Sequence, residues 1–168
     1  IDQNCLDGVS VIINLAGSSI SNRWTKEYRQ EIIESRVNSL ELLKSTLHKT
    51  ENHSVNSIVS ASAIGIYPNS LSDYYTEEEK KVDNSFLGEV VDVWENKIDE
   101  FESLGLKVAK VRIGLVLSND GGALPEIAKP VNYYAGAAFG SGEQWQSWIH
   151  ISDLAGIFLQ ANESVARR

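Results

Sequence analysis

Three short apolar runs, separated by two long helical patterns, constrain this chain more than any other feature. Val9-Ser-Val-Ile-Ile13, Ser57-Ile-Val-Ser-Ala-Ser62 and the Val- and Ile-rich stretch from Leu106 to Leu117 read as strands. Their nearly continuous apolar character suits strands buried on both faces, as in a parallel sheet. Residues about 25–48 read as a helix with Thr25 as its N-cap, and residues about 86–104 as a second. Leu87, Val91, Trp94, Ile98 and Phe101 form the stripe of the second, and Gly105 stops it. The stretch 118–148 has no clean period, Ile149-His-Ile151 is a short apolar piece, and Asp153 caps a last helix to about 161. Strands alternating with long helices predict an α/β fold with a doubly wound parallel sheet. Ligands of such sheets sit beyond the carboxyl ends of the strands. Here those ends are Asn14–Gly17, Ser60–Ser62 and Arg112–Val116, so Gly17, Ser60, Ala61 and Arg112 are candidate cofactor-binding residues.

Length and charge narrow the function. The 168 residues suit one domain, and a net charge of −8 without a basic cluster argues against a nucleic-acid footprint. No apolar run approaches a membrane span. With Cys5 as its one cysteine the chain has no internal disulfide, and a reducing, cytoplasmic location is the expectation. The sequence starts at Ile1 and holds no methionine, which suggests a fragment or residues omitted at both ends. Histidines 48, 53 and 150 are scattered and no metal-ligand spacing occurs, so no metal is expected.

Two dinucleotide signatures are absent. No Gly-x-Gly-x-x-Gly follows a strand, and the glycine-rich stretch 136–142 precedes no helix. No tyrosine has a lysine four residues later, so the Tyr-x-x-x-Lys pair of short-chain dehydrogenases is missing.

Four groups stand out. Arg36 falls near the middle of the apolar stripe of the first helix, set by Tyr28, Ile32, Ile33, Leu40, Leu43 and Leu47. A charge there pairs with a buried carboxylate or points into a polar ligand site. Trp24, Tyr28 and Glu31 share a second ledge of that helix, where Glu31 bonds a ribose or is solvated. Ser60 and Ser62 end a buried strand, facing a nicotinamide or substrate or else bonding locally to backbone. Trp145, Trp148 and His150 stand beside flexible glycines as a substrate wall or a packed aromatic cluster.

In this order the pieces resemble the YfcH-like sugar-nucleotide epimerases, an atypical branch of the extended short-chain dehydrogenases/reductases. They are Val11-Ile-Ile-Asn-Leu-Ala-Gly17, Arg23-Trp24, Glu31 through Val37, Ser60-Ala-Ser-Ala-Ile-Gly65, Trp94-Glu95, Arg112-Ile-Gly-Leu-Val-Leu117, Asp120-Gly-Gly-Ala-Leu124 and Gly140 through Asp153. The match runs from about residue 8 to 160.

The resemblance implies a Rossmann-like fold and NADP as cofactor. It also implies that the Gly-rich β-α unit would precede Ile1 and a small C-terminal domain would follow Arg168. The chain is then a partial NAD(P)-binding domain, with 118–150 as a substrate-side insert. Leu15 and Ala16 would line the cofactor, Glu31 and Arg36 match positions that contact NADP, and Val116 would lie near it. Trp94-Glu95 stands on the helix that ordinarily carries the Tyr and Lys. The expected function is an NADP(H)-dependent oxidoreductase or epimerase-like protein acting on a small substrate such as a nucleotide sugar. Ser62 and Tyr67 are its candidate catalytic residues, Trp24, Trp145 and His150 its substrate residues, and a homodimer is an expected assembly. The alternative is a non-catalytic NADP(H)-binding sensor or partner-binding protein.

Overall fold

The structure, a computed structural model, describes residues 3–50, 52–138 and 140–167. Strand β1 (Val11–Asn14), helix α1 (Lys26–Lys49), β2 (Ser57–Ala63), α2 (Phe86–Asp99) and β3 (Lys107–Ile113) follow one another as the apolar pattern predicts. All three strands pair in parallel in the order β1-β2-β3. The Thr25 hydroxyl accepts from Tyr28 N and the Ser85 hydroxyl from Gly88 N, so each helix starts on a side-chain cap. The helix from 86 ends as α-helix at Asp99 and finishes as a 3-10 turn, Glu100–Leu104, which Gly105 closes at φ +77°.

α1 and α2 pack side by side, as the right-handed rule for crossovers between successive parallel strands leads one to expect. β2 is buried from Ser57 through Ser62, which requires cover on both faces. Helix α4 (Ile151–Arg167) supplies the second layer against β2 and β3. Leu40, Ile58, Val59, Ile98, Phe101 and Phe158 form the centre of the core. On α1, Ile32, Leu40 and Leu47 are buried as the stripe requires. No helix among the described residues is long and apolar enough to cross a membrane.

The structure departs from the sequence pattern after residue 113. The third apolar run is two strands, because Gly114 breaks it. β3 stays with β2, whereas β4 (Leu115–Ser118) pairs in parallel with β6 (Trp148–His150) and antiparallel with the two-residue β5 (Gly121–Gly122). The stretch read as irregular also holds helix α3 (Ala123–Asn132). None of its residues is buried, so no core period marks it, and Pro125 and Pro130 disguise it further. β6 runs into α4 with no loop between them, so Asp153 lies in the first turn rather than at a cap. α4 continues to Arg167, past the expected end near 161.

Candidate functional site

The carboxyl ends of the three parallel strands carry two linked groups of polar side chains. Asn14 on β1 is buried, and its Nδ2 donates to Ser60 Oγ on β2 at 2.9 Å. The chain then turns outward. Leu15, Ala16 and Gly17 form an exposed ledge, with Leu15 65% exposed. Ser18 N donates to Ser35 Oγ at 2.9 Å and Ser18 Oγ to Glu31 at 3.0 Å, which ties the ledge to α1. Glu31 thus bonds within the protein and stays exposed.

Arg36 sits beneath this ledge. A Cβ placed on Gly17 would lie 3.0 Å from its guanidinium carbon, so glycine lets the ledge close over it. Arg36 Nη1 donates to Ile32 O at 2.9 Å and Ser18 O at 3.3 Å, and the guanidinium lies 5.0 Å from the centre of the Trp94 ring. Its Nε is buried without a partner. No carboxylate among the described residues pairs with it, so the buried-carboxylate alternative does not hold. Burial pulls its pKa below the ordinary range, against a smaller opposing effect from Tyr28.

The second group centres on Glu95, which the sequence reading did not select. Register places Ser62 beside Arg112 and Ser60 beside Lys110, and α2 lays Glu95 over them. Arg112 Nε and Nη2 each donate to a Glu95 oxygen at 2.9 Å, a bidentate pair, and Ser62 Oγ makes a short bond to Glu95 Oε1. Lys110 Nζ lies 3.5 Å from the same carboxylate and bonds Asp99 at 2.7 Å. Arg112 Nη1 reaches on to the Tyr67 hydroxyl at 2.8 Å and to Glu77 O at 3.1 Å. Position 95 is four residues after Val91 on the buried side of α2. The reasoning that singled out Arg36, a charge within an apolar stripe, finds Glu95 equally well.

Burial pushes the Glu95 carboxyl up, but the bonds from Arg112 and Ser62 outweigh it and hold the group below its ordinary 4.5. The same contacts, Glu95 first and Tyr67 next, raise Arg112 above its ordinary range against the cost of burial, so its charge is permanent. The unfolded chain therefore binds the Glu95 proton at higher pH than the folded protein does. Its contribution to stability is complete above pH 4.5 and is lost as pH falls through the depressed folded value. Urea midpoints measured from pH 7 downward should fall below about pH 4.5 in wild type and flatten in Glu95→Gln. Equal slopes in the two proteins would count against this placement of the charge.

A cleft of about 970 Å³ opens in front of this group. Tyr67, Tyr75, Trp145 and Arg112 line it, with Lys110 and Ser147. Tyr67 stacks on Tyr75 at 5.6 Å, nearly parallel, and Trp145 Nε1 donates to Leu71 O at 3.0 Å, tying the two loop walls together. Tyr67, a candidate catalytic residue, and Trp145, a candidate substrate residue, thus line one cleft. Ser62 does not line the cleft. It is 2% exposed, engaged with Glu95, and lies behind the wall. Ser60 and Ala61 are buried, Ser60 serving Asn14 and the Ala61 carbonyl. Val116 is half-buried on β4.

Two expected substrate residues lie apart from the cleft lining. Trp24 packs edge-on against Phe86 at 5.3 Å and donates to Ile20 O at 2.9 Å. His150 is exposed at the end of β6, where its Nδ1 accepts from Ser152 N at 3.3 Å. Both stand at helix starts, Trp24 just ahead of α1 and His150 just ahead of α4.

No family model matches the chain. It is 44% identical over 160 residues to an epimerase family protein of Staphylococcus aureus strain NCTC 8325, covering 94% of this chain and 53% of that one. Among solved structures it is similar to human epimerase family protein SDR39U1 crystallised with NADPH, with TM-score 0.83 and 30% identity over 94% of this chain and 54% of that one. It is also similar to a nucleoside-diphosphate sugar epimerase of Corynebacterium glutamicum, with TM-score 0.77 and 31% identity over 95% of this chain and 33% of that one. The chain spans about half the length of the Staphylococcus and human relatives and a third of the Corynebacterium one.

Proposed function

Since the chain belongs to the epimerase-like extended short-chain dehydrogenases/reductases, we propose that it builds part of an NADP(H)-dependent oxidoreductase or epimerase-like enzyme acting on a small molecule such as a nucleotide sugar. The observation that carries this reading is Arg36. A guanidinium lies under the exposed Leu15–Gly17 ledge with a buried, unpartnered Nε and no carboxylate among the described residues. That is a site prepared for an anionic group at the carboxyl end of a parallel strand. The human relative was crystallised with NADPH, which supports the phosphorylated cofactor.

The residues present fit one flank of a dinucleotide. The Leu15–Ala16–Gly17 backbone would line one side of it and Arg36 would answer its charge, while the pyrophosphate would need a Gly-rich helix start that these residues do not supply. When bound, the nicotinamide supplies or accepts a hydride. Tyr67 and Arg112 hold the cleft side of the site, between its aromatic walls.

Titration of the intact protein with NADPH and with NADH, followed by nicotinamide fluorescence, tests the reading. NADPH should bind the more tightly, and Arg36→Ala should weaken it roughly 10- to 100-fold, the worth of a hydrogen bond to a charged group. Binding of neither nucleotide would overturn the proposal. One observation favours a second reading, a nucleotide-binding protein without catalysis. The helix expected to carry a Tyr-Lys pair carries Trp94 and Glu95, both buried. Tight NADPH binding with no turnover of any carbonyl or sugar nucleotide would select it.

A further inference from the structure

We infer that the Glu95–Arg112 ion pair positions Tyr67 as the proton donor of the cleft, doing what the lysine of a Tyr-x-x-x-Lys pair does elsewhere. The inference rests on the oxidoreductase reading above and names the acid of that site. Glu95 engages two nitrogens of Arg112 at 2.9 Å each, which fixes the plane of the guanidinium. The third nitrogen is then directed at the Tyr67 oxygen, 2.8 Å away, with the guanidinium carbon 5.1 Å from the ring centre. Stacking on Tyr75 holds the ring from its other side.

Proton direction follows from this geometry. Arginine only donates, so the Tyr67 oxygen accepts from it and its own O–H must point elsewhere. No acceptor takes that proton among the described residues, and Tyr67 lines the cleft. Ser62 is the reverse case. Its proton is held by the Glu95 carboxylate and its side chain is buried behind the wall, so it cannot donate to a ligand in the cleft. Ser62 is thus a positioning residue that steadies Glu95.

The step balances as a carbonyl reduction. A hydride from the reduced nicotinamide adds to the carbonyl carbon and the C=O π bond breaks. The oxygen takes the Tyr67 proton, and the phenolate left behind faces the fixed charge of Arg112 until solvent in the cleft returns a proton. The products are an alcohol and oxidised nicotinamide.

The test uses the intact protein, NADPH and phenanthrenequinone, a flat activated dicarbonyl suited to aromatic walls. Tyr67→Phe should lower kcat roughly 10²- to 10⁴-fold, the range of a general acid, with KM and NADPH affinity near wild type. Arg112→Lys should lower kcat in the same way, since an ammonium cannot hold Glu95 with two nitrogens and Tyr67 with a third. Arg112→Ala should regain turnover when millimolar guanidinium is added, whereas Tyr67→Phe should not; a purely structural role for Arg112 predicts no such rescue. Wild-type kcat in Tyr67→Phe or in Arg112→Lys overturns the inference. So does wild-type protein that binds NADPH but does not reduce the quinone, and this leaves nucleotide binding intact. Failure to bind NADPH removes the oxidoreductase reading itself.

Discussion

Glu95→Ala is expected to destabilise the protein by about 3 kcal/mol, the lower end of the range for removing one partner of a buried ion pair. Glu95 is 5% exposed, accepts from Arg112 and Ser62, and lies 3.5 Å from the Lys110 ammonium. Alanine leaves the Arg112 guanidinium without its carboxylate, Lys110 with Asp99 alone, and the Ser62 hydroxyl without its acceptor. The Arg112 and Lys110 side chains keep 17% and 26% exposure, so water reaches them in part, which places the loss near the lower end. Glu95→Gln preserves the shape and one acceptor oxygen and should fall between wild type and alanine. Urea unfolding at neutral pH measures both. A loss in Glu95→Ala below about 1 kcal/mol, the worth of an exposed pair, would show that Glu95 is not the buried hub described above.

Gly114→Ala is the second large effect. A Cβ at Gly114 would stand 2.4 Å from the backbone oxygen of Ser147, and that oxygen also accepts from Leu115 N at 2.8 Å. A main-chain obstacle cannot rotate aside as a side chain would. The substitution must push β6 from β4 or break their shared bond, at a cost of about 1–3 kcal/mol or more. Function should suffer as well as stability, because Ser147 and Trp145 belong to the cleft wall that moves. The expected result is a lower urea midpoint together with an altered near-ultraviolet circular dichroism signal from Trp145 and Trp148. Wild-type values of both would mean that Gly114 is not the point where the sheet divides.

Glu95 and Trp94 together show how the two halves of the site are joined. They are neighbours on α2, yet Trp94 lies against Arg36 on the proposed cofactor side while Glu95 holds Arg112 and Ser62 on the cleft side. One helical turn therefore touches both groups of residues. A helix of this kind needs both side chains buried, and both are.

The β1-α1-β2-α2-β3 framework was legible because its signals are local. Thr25 and Gly105 mark element ends, and the stripes of α1 and α2 repeat with the helical period. The parallel sheet follows from that alternation. What lay beyond reach depends on contacts distant in sequence. Gly114 breaks its strand because of Ser147, and α3 has no buried face to impress a period on its residues. The site divides in the same way. The α1 stripe marked Arg36 as a misplaced charge, but only the fold shows that Trp94 and two carbonyls, not a carboxylate, surround it. Ser62 and Tyr67 are close in sequence and both are candidate catalytic residues. Strand direction sends Ser62 inward to Glu95, while the turn after β2 sends Tyr67 out into the cleft.

A crystal structure of the intact protein with NADPH tests the central claim most directly. The account predicts that the nicotinamide ring lies beyond the carboxyl ends of β1 and β2, with space beside Tyr67 for a carbonyl to sit roughly 3–3.5 Å from the hydride-bearing carbon, and that the Arg36 side of the cofactor follows the Leu15–Gly17 ledge. A nicotinamide bound away from Tyr67, with Arg36 still capped only by Ile32 and Ser18 carbonyls, would contradict it.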